Sequence, residues 1–221
     1  MLTGVIKDWD GHTLRIEALF DDSYLMVHQG CKECEIRLMD SRCISPSQRR
    51  KVFALLKDIS LYTGYPPGDM KEVMKYAFLA KTGLPEFSLS DCELSVARQF
   101  IDFLIEFCLE WAIPCQDSLL EAAQDVGKYL YLCLYHRRCA ICAKEKAYVH
   151  HCQAVGAGRN RKEIVHVGMP AMALCATHHN MVHSIGQATF DKKYHVFGIT
   201  INEVLAKRLK LGRANRGNNN A

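Results

Sequence analysis

One stretch, from Cys139 to His183, limits what this chain can fold into more than any other part of the sequence. Two pairs within it, Cys139-x2-Cys142 and Cys175-x2-His178, have the spacing of a structural zinc site. Six of the ten histidines of the chain also lie in this stretch, a density that favours metal binding. Besides His178 and His166, four histidines remain as candidates for a second role, and they are His150, His151, His179 and His183.

Helical geometry separates the two groups. The run MALCATHHNMVHSI contains no Pro and no Gly before Gly186, which predicts a helix covering Cys175 to His183. On this helix His179 and His183 lie one turn apart and share a face, as Cys175 and His178 do. The other partition would pair His178 with His183, whose directions differ by about 140° at 3.6 residues per turn.

Two candidate metal centres follow from this partition. The closed centre, predicted to hold a structural Zn²⁺, comprises Cys139, Cys142, Cys175 and His178. The open centre comprises His179, His183 and either His150 or His151. The alternatives are a set of buried free thiols for the closed centre, and a second zinc or a solvated helix face for the open centre.

The open centre predicts metal-assisted hydrolysis of a phosphodiester. Imidazole ligands leave coordination positions for water and a phosphate oxygen, and a divalent ion there can stabilise the leaving oxygen. A neighbouring histidine near its ordinary pKa can take a proton from the attacking water. Basic side chains that could hold the DNA backbone lie in the connecting loop and beside the first cysteine pair, at Arg159, Arg161, Lys162, Arg137 and Arg138.

The pattern HH…VG-x-GRNR…MALC-x2-HH-x3-H resembles the HNH (ββα-metal) endonuclease domain, in a phage-borne subgroup of the HNHc nuclease type. The resemblance implies that His151 is the catalytic base and that His150, His179 and His183 bind the catalytic ion, such as Mg²⁺, Mn²⁺ or Ni²⁺. The two adjacent histidines could exchange these roles. The family's middle Asn should precede the MALC segment, and this chain has Pro170 near that place.

The N-terminal part predicts strands followed by helices. Strands at 3–6 and 13–19 flank a turn at Asp10-Gly11, and further strands are expected at 24–28 and 35–38. Cys31-x2-Cys34 is interpreted as a turn with two thiols. Capping boxes at Ser45 and Ser90 predict helices over 46–61 and from 90 to about 111, with a helix over 69–81 between them.

The remaining elements are predicted from the same signals. A single linking helix is expected over 116–138, a strand pair over 188–199, and a last helix that starts with a Thr200-x-x-Glu203 capping box. His166 is interpreted as a strand residue and Cys152 as a packed thiol. Residues 212–221 have the composition of a disordered tail.

The order of strands, the segment SPSQRRKVFALLKDIS and two further helices is similar to the phage lambda-type Orf (NinB) recombination mediators. The resemblance covers roughly residues 1–115. Members of that family are dimers that bind single-stranded DNA and help to load recombinases. It therefore implies a homodimer that binds single-stranded or branched DNA, with a recombinase or single-strand-binding protein as a further partner.

Charge and cysteine content limit the setting. Residues 126–221 carry fifteen Lys or Arg against four Asp or Glu, whereas residues 1–125 carry thirteen against twenty, so a polyanion is expected to bind the C-terminal part. Eleven cysteines without a secretory signal predict a reducing compartment. Together with the resemblance to phage proteins, this implies the cytoplasm of a bacterial host. No run of eighteen apolar residues occurs, so no membrane-spanning segment is expected.

These observations together predict an α+β chain: N-terminal strands, a helical bundle and a zinc-stabilised ββα-metal domain. The predicted divisions are a mediator-like domain over 1–115, the linking helix over 116–138, the nuclease domain over 139–211 and the tail. The predicted function is a metal-dependent HNH endonuclease fused to a recombination-mediator-like DNA-binding domain, acting in phage recombination or replication. The alternative is a zinc-containing recombination mediator that binds DNA without cleaving it.

Overall fold

The computed structural model describes residues 4–18, 42–153 and 166–211, which fall into two compact units divided at residue 40. The first unit contributes an antiparallel hairpin of β1 (Gly4–Trp9) and β2 (Leu14–Ala18). At its turn, Asp10 Oδ1 accepts hydrogen bonds from the backbone N–H groups of His12 and Thr13. The predicted hairpin is thus confirmed, while the strands expected at 24–28 and 35–38 and the Cys31-x2-Cys34 turn lie outside the described residues.

The second unit begins with three helices: α1 (Pro46–Thr63), α2 (Pro67–Thr82) and α3 (Leu94–Glu110). The capping box of α1 is confirmed, because Ser45 Oγ accepts from the Gln48 N–H and Gln48 Oε1 accepts from the Ser45 N–H. Both α1 and α2 end at a glycine in the left-handed conformation, where a residue with Cβ would be strained. Phe78 and Phe100 are fully buried in the core between these helices, in edge-to-face contact.

The capping box predicted at Ser90 is wrong. Helix α3 starts four residues later, after Glu93, and no side chain caps it. Glu93 is instead held extended by a β-bridge to Cys43, and the N–H of Leu94 donates to the carbonyl of Arg42. Tertiary pairing therefore moves the helix start away from the local signal.

The single helix predicted over 116–138 is also wrong, since two helices occupy this segment. They are α4 (Leu119–Ala122) and α5 (Val126–His136). Ser118 and Asp125 each accept a hydrogen bond from the backbone N–H three residues further on, so each starts a separate helix. Between them Ala123 has an extended backbone, with φ −56° and ψ 135°.

The last part of the chain forms a three-stranded antiparallel sheet with strand order β3-β4-β5. Its strands are β3 (Tyr148–His151), β4 (Pro170–Leu174) and β5 (Ile199–Thr200). Three helices accompany it: α6 (Ala176–Ile185), α7 (Gln187–Tyr194) and α8 (Glu203–Leu209). The sheet and α6 give the predicted order of two strands followed by a helix.

Two predictions after α6 are wrong. The expected strand pair over 188–199 is largely replaced by α7, because Phe190 is completely buried on one face of that helix. The cap of α8 is Asn202, whose Oδ1 accepts from the Leu205 N–H, and not Thr200, which pairs with Pro170 in the sheet.

One hydrophobic core runs through the second unit, from Ile44 in front of α1 to Leu209 at the end of α8. Helix α5 lies at its centre and packs against α3, β4 and α8. The described chain is therefore a mixed fold of eight helices and two small antiparallel sheets. The domain boundaries at 115 and 138 stay predictions.

No helix within residues 4–18, 42–153 and 166–211 combines the length and apolar character needed to cross a bilayer.

Candidate functional site

The β3–β4 hairpin and α6 bring the predicted site residues together. His150 pairs with Met172 and His151 with Ala171 across the hairpin. Cys175 directly follows β4 and is the N-terminal cap of α6, and its carbonyl accepts the N–H of His179. Because α6 follows β4 without a loop and Leu174 pairs with Tyr148, its first turn is fixed beside the start of β3.

Cys139, Cys142, Cys175 and His178 form a cluster, which we call the Cys3His cluster. His178 Nδ1 lies 3.4 Å, 3.7 Å and 3.2 Å from the Sγ atoms of Cys139, Cys142 and Cys175, and the last two Sγ atoms are 3.8 Å apart. A tetrahedral Zn²⁺ with bonds of about 2.3 Å to sulfur and about 2.0 Å to nitrogen requires about 3.8 Å between sulfurs and about 3.5 Å between sulfur and nitrogen. The four donors therefore fit zinc.

The electrostatics of the Cys3His cluster also suit a cation. Burial raises the pKa of the Cys139 thiol to about 12, so this thiol keeps its proton until a metal replaces it. Burial also raises the pKa of the Cys175 thiol, but hydrogen bonds from the N–H groups of the first turn of α6 and from the neighbouring thiols lower it by more. The pKa of Cys175 is therefore lowered overall. Burial lowers the pKa of His178, which favours the neutral imidazole that binds metals.

His150, His179 and His183 form a second cluster, the histidine triplet, whose candidate ligand nitrogens all lie within 4.8 Å of one another. The ring centroids of His179 and His183 are 4.7 Å apart, as expected for residues one helical turn apart. His150 is buried, His179 is half-buried and His183 is exposed. Three imidazoles on one strand and one helix, open on one side, fit a divalent ion with positions left for other ligands.

A hydrogen-bonded chain leads from α7 to the histidine triplet. His150 Nε2 lies 2.8 Å from Gln187 Oε1, and Gln187 Nε2 donates to Asp191 Oδ1 at 2.7 Å. Burial lowers the pKa of His150 and raises the pKa of Asp191. Gln187 and Asp191 were not predicted as site residues, because the segment that carries them was expected to form strands.

His151 ends β3 and contacts a histidine that the sequence analysis treated as a strand residue. His151 Nε2 is 2.9 Å from Nδ1 of His166, which is buried and lies before β4. His166 opens a turn in which the N–H of Met169 donates to its carbonyl and Gly168 has φ 88°. Glycine at the third position of such a turn is a recognisable signal in the segment HVGM.

The basic residues predicted to hold DNA differ in their placement. Arg137 is exposed in the left-handed conformation that ends α5. Arg138 is 7% exposed, donates from Nε to the Leu109 carbonyl at 2.7 Å and lies 3.3 Å from a Glu145 oxygen. The Arg138 side chain therefore contacts the Leu109 carbonyl and the exposed Glu145 carboxylate, and its predicted DNA contact stays a prediction. Arg159, Arg161 and Lys162 lie outside the described residues.

Comparison with known proteins gives one family. A family model described as "Putative HNHc nuclease" matches residues 20–212. Neither the curated proteins nor the solved structures gave a match. The family match includes α1 to α5 as well as the Cys3His cluster and the histidine triplet, so it extends far beyond the segment 139–211 that resembles an HNH domain. With most of its length matched, the chain belongs to this family of HNH-type nucleases.

Proposed function

We propose that this nuclease is a metal-dependent DNA endonuclease whose cleavage site is built on the histidine triplet, with His151 as the general base. The observation that carries the proposal is the cluster of three imidazoles, one of which belongs to His150, the residue directly before His151 in β3. The Cys3His cluster is proposed to hold structural Zn²⁺. Its role is to fix the first turn of α6, which carries His178 in one centre and His179 in the other.

The reaction assigned to this site is hydrolysis of a phosphodiester bond. A divalent ion held by His150, His179 and His183, such as Mg²⁺, Mn²⁺ or Ni²⁺, would supply charge stabilisation for the phosphate and the leaving oxygen. His151 takes a proton from the water that attacks phosphorus. Neighbouring residues on a regular strand point to opposite faces, so His150 and His151 can serve one site only where the strand ends. β3 ends at His151, and this position is consistent with a ligand role for His150 and a base role for His151.

DNA is proposed to lie along the basic C-terminal part of the chain. Arg137 is exposed, and Arg159, Arg161 and Lys162 belong to the same basic region of the sequence. Contacts of this kind bind phosphates and give affinity without sequence preference, and they weaken steeply as salt rises. Arg138 is left out of this surface because its guanidinium is buried.

The test is a cleavage assay with the purified full chain, plasmid and branched DNA, and Mg²⁺, Mn²⁺ or Ni²⁺. His151→Ala should abolish cleavage and leave DNA affinity unchanged, because the ring removes a proton and does not hold the backbone. His12→Ala is the matched control, since His12 is exposed in the hairpin of the first unit. Full activity in His151→Ala would refute the assignment of the base.

A second candidate function is a recombination mediator that binds DNA without cleaving it. The observation that favours it is Pro170, which starts β4 near the place of the family's middle Asn. In this case residues 1–115 would bind single-stranded DNA as a homodimer and recruit a recombinase or a single-strand-binding protein during phage recombination. Tight binding to single strands, with no cleavage by any of the three ions, would favour the mediator over the endonuclease.

A further inference from the structure

The three side chains that link α7 to the histidine triplet have a defined hydrogen-bond direction. The carboxylate of Asp191 only accepts hydrogen bonds, so the amide NH₂ of Gln187 must face it, at 2.7 Å. The amide oxygen of Gln187 then faces His150 Nε2, at 2.8 Å. Because that oxygen can only accept, Nε2 of His150 carries the proton and Nδ1 carries the lone pair.

The fold holds this chain of hydrogen bonds in place. Gln187 and Asp191 lie one turn apart on α7, so their side chains share a face of the helix. Phe190 lies between them in sequence and is completely buried, which fixes the helix against the core. Gly186, with φ 81°, makes the sharp junction that starts α7 directly after α6.

His150 is also the member of the histidine triplet that most needs external orientation. It is 7% exposed, whereas His179 is half-buried and His183 is exposed. The two helical histidines can therefore adjust their rings to an incoming ion, but a buried ring in the wrong tautomer would present N–H to the ion. Partners that donate to or accept from the second ring nitrogen of a metal ligand set both tautomer and orientation.

We propose that Gln187, held by Asp191, is a positioning residue that fixes His150 as the Nε2–H tautomer and presents Nδ1 to a divalent cation at the histidine triplet. The proposal rests on the metal site of the proposed function. It adds two residues of α7 to that site and states which nitrogen of His150 binds the cation.

The first experiment measures the tautomer without any second metal. Long-range ¹H–¹⁵N spectra of histidine-labelled protein, with zinc supplied to the Cys3His cluster, should show His150 as the Nε2–H form. Gln187→Leu keeps the bulk of the side chain but removes the acceptor, so the His150 signals should shift toward a mixture of tautomers. Unchanged His150 signals in Gln187→Leu would overturn the proposal.

The second experiment measures Ni²⁺ affinity at the histidine triplet by calorimetry. Gln187→Leu should raise the Kd for Ni²⁺ by about 10–100-fold, the usual effect of losing such a partner. Thr189→Ala, at an exposed position on the same helix, is the matched control and should leave the Kd unchanged. A wild-type Kd for Ni²⁺ in Gln187→Leu refutes the relay, by which we mean the positioning of His150 by Gln187 and Asp191.

The outcomes separate this proposal from the proposed function. If the wild-type chain binds Ni²⁺ and cleaves DNA while Gln187→Leu keeps both the Kd and the tautomer, only the relay is refuted. If the wild-type chain binds Ni²⁺ through His150 Nδ1 but does not cleave DNA, the relay is supported and the endonuclease is refuted. Should Gln187→Leu fail to fold, Asp191→Asn is the second variant, because an amide at position 191 no longer forces the orientation of Gln187. A mixture of His150 tautomers in Asp191→Asn would support the proposal, and an unchanged Nε2–H form would refute it.

Discussion

Replacing Cys142 with Ala isolates the contribution of the metal at the Cys3His cluster from the contribution of packing. Cys142 is the exposed cysteine of the cluster, whereas Cys139 and Cys175 are buried. Without metal, the Cys142 Sγ makes only weak contacts, at 3.7 Å with His178 Nδ1 and 3.8 Å with Cys175 Sγ, so truncating this exposed side chain should change stability by no more than about 0.5 kcal/mol. In the presence of a chelator, wild type and Cys142→Ala should therefore unfold at nearly the same temperature.

With zinc present, the two proteins should differ strongly. Structural zinc sites bind with about 10–16 kcal/mol, so one of four ligands accounts for about 2.5–4 kcal/mol, which is about a 70- to 900-fold change in Kd; about 100-fold is taken here. At a zinc concentration 1,000 times the wild-type Kd, binding stabilises the wild type by about 4.1 kcal/mol and the variant by about 1.4 kcal/mol. The difference of about 2.7 kcal/mol corresponds to about 5–11 °C in Tm for a unit of this size.

The assay is thermal unfolding followed by circular dichroism, with zinc and with chelator, together with zinc content per chain by mass spectrometry. Cys43→Ala serves as the matched control, because Cys43 is half-buried and lies outside both clusters. The reasoning fails if Cys142→Ala loses the same stability in chelator as in zinc, or if it retains the zinc content of the wild type.

Three further predictions follow from single residues. Arg138→Ala should lower the free energy of unfolding, measured by urea titration, by about 1–3 kcal/mol, because the buried Leu109 carbonyl loses its donor. The matched variant Arg137→Ala should leave stability unchanged and weaken DNA binding at low salt. Phe190→Ala should cost about 3–5 kcal/mol in the same titration, since the ring is completely buried. The free energy of unfolding should also fall as pH rises above about 9, because the Cys152 thiol ionises in the unfolded chain while burial holds its folded pKa near 11. Cys152→Ala should reduce the slope of unfolding free energy against pH by up to about 1.4 kcal/mol per pH unit.

The division of ligands between the two clusters could be predicted because it depends on local geometry alone. Helical spacing places His179 and His183 on one face and Cys175 with His178 on another, and the structure brings the same sets together. The start of α1 was predictable for the same reason, since both hydrogen bonds of the Ser45 capping box involve residues three apart. Whether these clusters bind metals in the predicted roles stays a prediction.

Elements that depend on distant contacts could not be predicted. The segment 187–194 has weak helical signals, and the completely buried ring of Phe190 indicates that tertiary packing determines its conformation. Gln187 and Asp191 were missed as a consequence, because their one-turn spacing has meaning only on a helix. His166 was missed although Gly168 signals a turn, since only the folded hairpin brings its ring to His151.

The two clusters are linked through one peptide bond, which gives a physical reason for building them on the same helix. His178 belongs to the Cys3His cluster and His179 to the histidine triplet, and Cys175 caps the helix that carries both. If Zn²⁺ at the Cys3His cluster orders the first turn of α6, it also reduces the conformational entropy lost when His179 binds a second ion. By linkage the coupling is reciprocal, so an ion at the triplet must strengthen zinc binding by the same factor. A closed site of three thiolates and an imidazole should bind zinc far more tightly than three imidazoles bind a labile cation. The effect expected in an experiment is therefore that zinc occupancy changes the cation affinity of the histidine triplet. Zinc removal should thus weaken the open site before it unfolds the core.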